Sequence, residues 1–270
     1  PDSAPDRADS HWLDRPPRLC WRRKATITVG RYTVLQKIDR GLWCVDGSLR
    51  MPGGVVLPTR MTVVDVRDGR LLLHSPVELE PPLVEEIRSL GSVDWIVAPN
   101  DHHHLFLPEA ARHFPEATLL APEGAREKQN ALEFERDLAD GAPATWDETV
   151  EMKPLEGTRH WNEYVFFLSE QRTLLVTDLV LNIQDIPNVQ TGLLLWFLGA
   201  RRKFVQMWPE RWFLVADREE YAASLREIFE WDFERIIMSH GDIVGSDGPS
   251  RLAEATSWAD HGLSPSATGS

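Results

Sequence analysis

The chain has 270 residues, 42% of them hydrophobic, and a formal net charge of −13. That length buries a sizeable core as one large domain or two small ones. The negative charge argues against non-specific binding to nucleic acid or to an anionic membrane, both of which need clustered Lys and Arg.

Residues 1–20 are rich in Pro, Asp, Ser and Arg without an apolar period and read as a flexible lead-in. Strands follow at Trp43–Asp46 and Met61–Val66, and Asp68-Gly69 centres a hairpin turn into Leu71–His74. Pro81-Pro82 opens a helix with Leu83, Val84, Ile87 and Leu90 on one face, and Gly91 stops it. Trp95–Ala98 reads as a buried strand, Glu109–Phe114 as a short helix behind Pro108, Thr118–Ala121 as a strand and Glu123–Leu138 as a charged helix. Tyr164–Leu168 and Thr173–Thr177 form a hairpin across Gln171-Arg172, a helix runs from about Asp217 to Trp231, and Arg235–Met238 is a last strand. Residues 263–270 read as a flexible tail, and no linker divides residues 21–262, so one layered α/β domain with mixed sheets is expected.

Two cysteines, Cys20 and Cys44, offer neither a disulfide framework nor CxxC spacing, which fits a reducing cytoplasm. The longest apolar run, Thr191–Leu198, falls short of the ~20 residues of a membrane span and leads into Arg201-Arg202-Lys203, the best candidate for a local basic patch. The chain starts at Pro1 rather than Met, which leaves room for a trimmed leader.

The sharpest chemical signal is His102-His103-His104 directly after the strand 95–98. Asp178 and His240 also follow apolar strands, and His160 precedes one. In layered α/β proteins ligands gather where strand-end loops converge, and histidine with carboxylate is the usual ligand set of catalytic zinc and non-haem iron. Neighbours on an extended loop point in opposite directions, so at most two of the three histidines face one ion, most naturally His102 with His104. The bland readings stand beside this one: His160 as a packed or capping histidine, Asp178 as a turn cap, His240 as a turn partner. Met207–Phe213 reads as a packed insertion before a pocket lining, and Arg60 as an internal ion pair before an anion site.

The order of these pieces resembles the metallo-β-lactamase superfamily, which has a His-x-His-x-Asp-His motif after a strand, a lone His before a hairpin, an Asp after it and a late Gly-His-Gly. The matching places are Pro99–His104, Gly157–His160, Leu175–Asp178 and Ser239-His240-Gly241. More closely, Pro58–Thr62, His74-Ser75-Pro76, Ala98-Pro99-Asn100, His103–Phe106, Thr177-Asp178 and Ser239–Asp242 resemble a divergent branch, the DUF4336 proteins. The resemblance implies an αββα sandwich with two mixed sheets flanked by helices, and a metal site drawn from His102, His103, His104, His160, Asp178 and His240.

The first motif departs from the superfamily. One register puts Asn100 in place of the first His, with His102 on the second and His104 in place of Asp. The other sets His103-His104 on the Asp-His pair, as the closer branch does. Four or five plausible ligands against the seven or so of a dinuclear site favour one ion, zinc or alternatively iron. The implied activity is hydrolysis of a small ester, thioester, lactone or phosphodiester by a metal-activated water, with Asp178 and Asp101 as catalytic carboxylates and Glu163 or Asp242 holding a ligand imidazole. A metal-free binding or scaffold protein and an iron-dependent oxidoreductase are the alternatives. The expected partner is a small-molecule substrate, with no nucleic acid and no membrane.

Overall fold

The computed structural model describes residues 34–260, so the lead-in, the tail and Cys20 lie outside the described residues. A first sheet opens as an antiparallel meander of β1 (Leu35–Asp39), β2 (Leu42–Arg50), β3 (Val56–Arg67) and β4 (Arg70–His74). Asp68 and Gly69 both carry positive φ, as the tight turn between β3 and β4 requires. The sheet then turns parallel through β5 (Ser92–Val97), β6 (Thr118–Ala121) and the two-residue β7 (Arg136–Asp137). Crossovers α1 (Pro81–Leu90) and α2 (Leu107–His113) cover its outer face, and α3 (Glu123–Lys128) follows β6.

The second sheet is ordered β11 (Arg235–Met238), β10 (Thr173–Val176), β9 (Tyr164–Leu168), β8 (Val150–Pro154), with β10 and β11 parallel. Helices α5 (Arg218–Ile228) and α6 (Gly248–Thr256) pack on its outer face, while α4 (Val189–Phe197) lies apart from that cluster. Apolar side chains of both sheets, among them Leu72, Trp95, Val97, Phe166, Leu175 and Ile237, meet in a shared core. Two mixed sheets between helical layers make an αββα sandwich, as the resemblance implied. Among the described residues no helix is long and apolar enough to cross a membrane.

The expected helix 123–138 stops at Lys128. Leu132 and Phe134 both pack on the core under the first helical layer. Residues i and i+2 cannot share a helix face, so non-helical chain is what lets both be buried, and Arg136-Asp137 continues the sheet beside Leu120-Ala121.

Candidate metal centre

Parallel registers bring the site together. Val176 pairs with Met238 and His74 with Val97, so the chain leaves β4, β5, β10 and β11 on one edge of the sandwich. Asp178 and His240 each lie two residues past the same rung, and the β5 exit carries Asn100 to His104. His240 Nε2 stands 3.0 Å from Asp178 Oδ1, His103 Nε2 stands 3.5 Å from the same oxygen, and the two Nε2 atoms are 3.2 Å apart. Among the described residues these three form the one group of His, Cys and carboxylate side chains close enough to share an ion.

The donor set fits a divalent cation. Pro58 O, which can only accept, lies 2.7 Å from His240 Nδ1, so neutral His240 carries its proton there and turns a lone pair inward. His103 Nδ1 lies 2.7 Å from Ser75 Oγ, which accepts a hydrogen bond from Ser239 Oγ. Imidazoles held by an outer partner on the far nitrogen are typical of metal ligands. Atoms about 2.0–2.1 Å from a tetrahedral zinc lie about 3.3–3.4 Å apart, and the observed spacings of 3.0–3.5 Å bracket that value. Without an ion, burial depresses His103. Burial also works against charge on His240 and Asp178, but their contact outweighs it: the carboxylate holds His240 above free histidine, and the imidazoles hold Asp178 well below the usual carboxylate range.

Asn100, fully buried, clamps this arrangement. Its Nδ2 donates to Asp178 Oδ2 at 2.7 Å and to Thr177 Oγ1 at 3.1 Å, and its Oδ1 accepts from the backbone N–H of His102 and His103, both at 2.9 Å. Buried Glu163 takes the backbone N–H of Thr177 and Asp178 at 2.7 and 3.0 Å. Burial and then the Asp178 charge push the Glu163 carboxyl up to about 7. Neither it nor Asp242 holds an imidazole. Pro58 O and Ser75 do that, and a backbone carbonyl leaves no residue-type signal in a sequence. Arg60 is the expected internal ion pair: it donates to Asp46 Oδ1 at 2.8 Å, to Met238 O at 3.0 Å and to Gly241 O, tying down the His240 loop.

The remaining sequence candidates lie elsewhere. His102 is exposed at the cavity rim. His104 turns the other way, accepting from Gln129 Nε2 at 2.8 Å, and burial keeps it neutral with a pKa of about 4. His160 is exposed with φ of 57°, and its neighbour Trp161 takes the inward position, fully buried on the cavity wall. Burying an indole rather than an imidazole is the stronger apolar gain. Asp101 points toward α3, accepting from Asn162 Nδ2 at 2.8 Å and lying against Gly124.

His103, Asp178 and His240 open onto a cavity of about 470 Å³ walled by Leu57, Phe106, Trp161, Met207 and Leu214. The 207–214 segment, read as a packed insertion, thus lines the site. Its π-helical turn, Glu210–Leu214, brings Glu210 to the wall, 4% exposed. Glu210 Oε2 accepts from Met207 N at 3.1 Å, and Oε1 has no hydrogen-bond partner among the described residues. Burial first, then the charges of Asp178 and Glu163, lift this carboxyl well above the usual range. No sequence signal separated Glu210 from its neighbours.

Solved structures share this architecture. DIM-1 metallo-β-lactamase exposed to ceftazidime is 15% identical, with a TM-score of 0.58 over 84% of this chain and 96% of that one. FIM-1 from Pseudomonas aeruginosa in its mono-zinc form is 15% identical, with a TM-score of 0.54 over 86% and 96%. A metallo-β-lactamase from Pontibacter korlensis is 17% identical, with a TM-score of 0.54 over 84% and 98%. The protein therefore has the metallo-β-lactamase fold. Within that fold, residues 40–195, more than half of the chain, match the domain of unknown function DUF4336, and the chain belongs to that family. No curated protein matches it.

Proposed function

We propose that the protein is a hydrolase that uses one divalent cation, zinc in preference to iron, held by His103, Asp178 and His240. The observation that carries this reading is the convergence of two Nε2 atoms and one carboxylate oxygen within 3.5 Å, both imidazoles held from behind. A cation bound there acts as a Lewis acid and brings the pKa of a coordinated water toward ~7. Asn100 fixes the Asp178 carboxylate and the His103 backbone. The apolar wall excludes bulk water and takes the uncharged part of a small ester, thioester or lactone. Glu210, on the cavity wall with its carboxyl raised by burial, is the candidate to give a proton to a departing alkoxide or thiolate. A phosphodiester fits less well, because among the described residues the cavity wall offers no Lys or Arg.

Elemental analysis of untagged protein tests the first step, with Asp178→Ala and His240→Ala beside it. About one equivalent of zinc in the parent, lost in both variants, supports the reading and justifies an ester and lactone screen. Iron in place of zinc would favour an oxidoreductase, since two His and one carboxylate also suit non-haem iron. No metal after incubation with either ion would leave the apolar cavity as a binding site without hydrolysis.

A further inference from the structure

Helix α4 inverts the usual pattern of a surface helix. Val189, Leu193, Trp196 and Phe197 recur at i, i+4, i+7 and i+8, the spacing of one apolar stripe. All four face solvent at 63–74% exposure, while Thr191, Gly192 and Leu195 face inward. The stripe continues into the cavity segment. The Phe197 and Trp208 ring centroids are 5.8 Å apart, those of Trp208 and Phe213 6.1 Å apart, and Trp208 Nε1 donates to Phe197 O at 2.8 Å. Trp212 beside them is 77% exposed. Met51, Leu105 and Phe213 are each exposed and also line the cavity, so this apolar surface runs into its mouth. Past α4, after Leu198-Gly199-Ala200, come Arg201, Arg202 and Lys203, exposed and without a carboxylate partner among the described residues.

We propose that this face seats the protein on an anionic lipid surface, with the α4 stripe and Trp212 at the headgroup–acyl boundary and the three cations among the phosphates. The helix itself carries no charge, and its exposed Trp, Phe and Leu with Arg and Lys in the turn that follows supply the apolar and basic parts of a membrane-interface surface, where indoles settle at headgroup level. Nine residues span only about 14 Å, so the helix lies in the plane and does not cross. The net charge of −13 does not override this, because charges farther than about 8 Å away are screened at physiological salt and the local cluster acts at contact. A second copy fits the surface less well: a two-fold interface through this patch would bring two sets of unpaired cations together. The cavity mouth then opens at the lipid, which suits a substrate with an apolar chain.

Binding is independent of the metal reading, so the test reads flotation rather than activity. The full chain is floated with vesicles of phosphatidylcholine mixed with phosphatidylglycerol and with vesicles of phosphatidylcholine alone. Binding to the mixed vesicles is expected, at least about tenfold weaker without the anionic lipid. The combined variant Arg201→Gln/Arg202→Gln/Lys203→Gln is expected to lose on the order of a hundredfold, from roughly fivefold per cation. The variant Trp196→Ser/Phe197→Ser/Trp212→Ser is expected to lose flotation with an unchanged melting temperature, since all three side chains are exposed. No flotation of the parent, equal flotation with phosphatidylcholine alone, or undiminished binding by the aromatic variant each overturns the proposal. A concentration-dependent dimer that the aromatic variant abolishes, without flotation of the parent, would assign the face to a second copy instead.

Discussion

Replacing Asn100 with Ala removes four hydrogen bonds at once: two from Nδ2 to Asp178 Oδ2 and Thr177 Oγ1, and two accepted by Oδ1 from His102 N and His103 N. The bond to the ionised Asp178 is worth about 1.5–3 kcal/mol and each neutral one about 1 kcal/mol. His102 is exposed, so its N–H recovers water, and the sum comes to about 4 kcal/mol. That is a large share of the 5–15 kcal/mol typical of a domain. If the site holds zinc as proposed, the affinity is expected to fall about 10–100-fold, the usual cost of losing a group that orients a ligand. Asn100→Asp keeps the shape and both acceptor bonds but sets a second carboxylate 2.7 Å from Asp178. One of the two must then be protonated, so a carboxyl pKa in the folded state rises above its unfolded value. Stability is then present at low pH and lost as pH rises through the folded pKa. In metal-free protein this variant is expected to lose about 3 kcal/mol at pH 8 and visibly less at pH 5. Urea unfolding with EDTA at the two pH values reads the Asp variant, and zinc titration reads the Ala variant. An Ala variant within about 1 kcal/mol of the parent that binds zinc equally well would refute the clamp.

Three further outcomes are expected. His74 is fully buried and burial holds its pKa at about 3 against ~6.5 when unfolded, so stability is complete above pH 6.5 and lost as pH falls from there toward 3. His74→Leu should shrink the stability lost between pH 7 and pH 5 by about 2 kcal/mol, measured by urea unfolding at both, and an unchanged pH dependence would show that His74 is not the source. Gly241 has φ of 109°, and a Cβ there would sit 2.3 Å from the Asn182 backbone. Gly241→Ala should cost about 3 kcal/mol or more and displace His240, seen as lost zinc binding in any variant that still folds. If the hydrolase reading holds, Glu210→Gln should lower kcat about 10²–10⁴-fold with the metal content and KM little changed. A rise in KM alone would make Glu210 part of the binding wall and not an acid.

What was legible in the sequence, and what was not, follows from the range of the interactions. Short apolar runs bounded by turn residues placed β3, β4, β9, β10 and β11, because a strand's apolar content is local. β8 and the short β7 were invisible: each exists only because a neighbouring strand offers a ladder. The same division runs through the site. Asp178 and His240 were readable since each directly follows a strand that the fold must align with its parallel neighbour. Which of the three adjacent histidines turns inward was not readable, because Asn100 decides it by holding the backbone N–H groups of two of them and the carboxylate of Asp178 together. In the register that sets Asn100 on the superfamily's first histidine, that position holds the residue that orients Asp178 and His103. A histidine there would add a fourth side chain able to hold an ion, whereas the amide orients Asp178 and His103. The same economy of partners explains the other residues that escaped notice: Glu210 depends on a π-helical turn, and the α4 stripe looks like core until the tertiary structure turns it toward solvent.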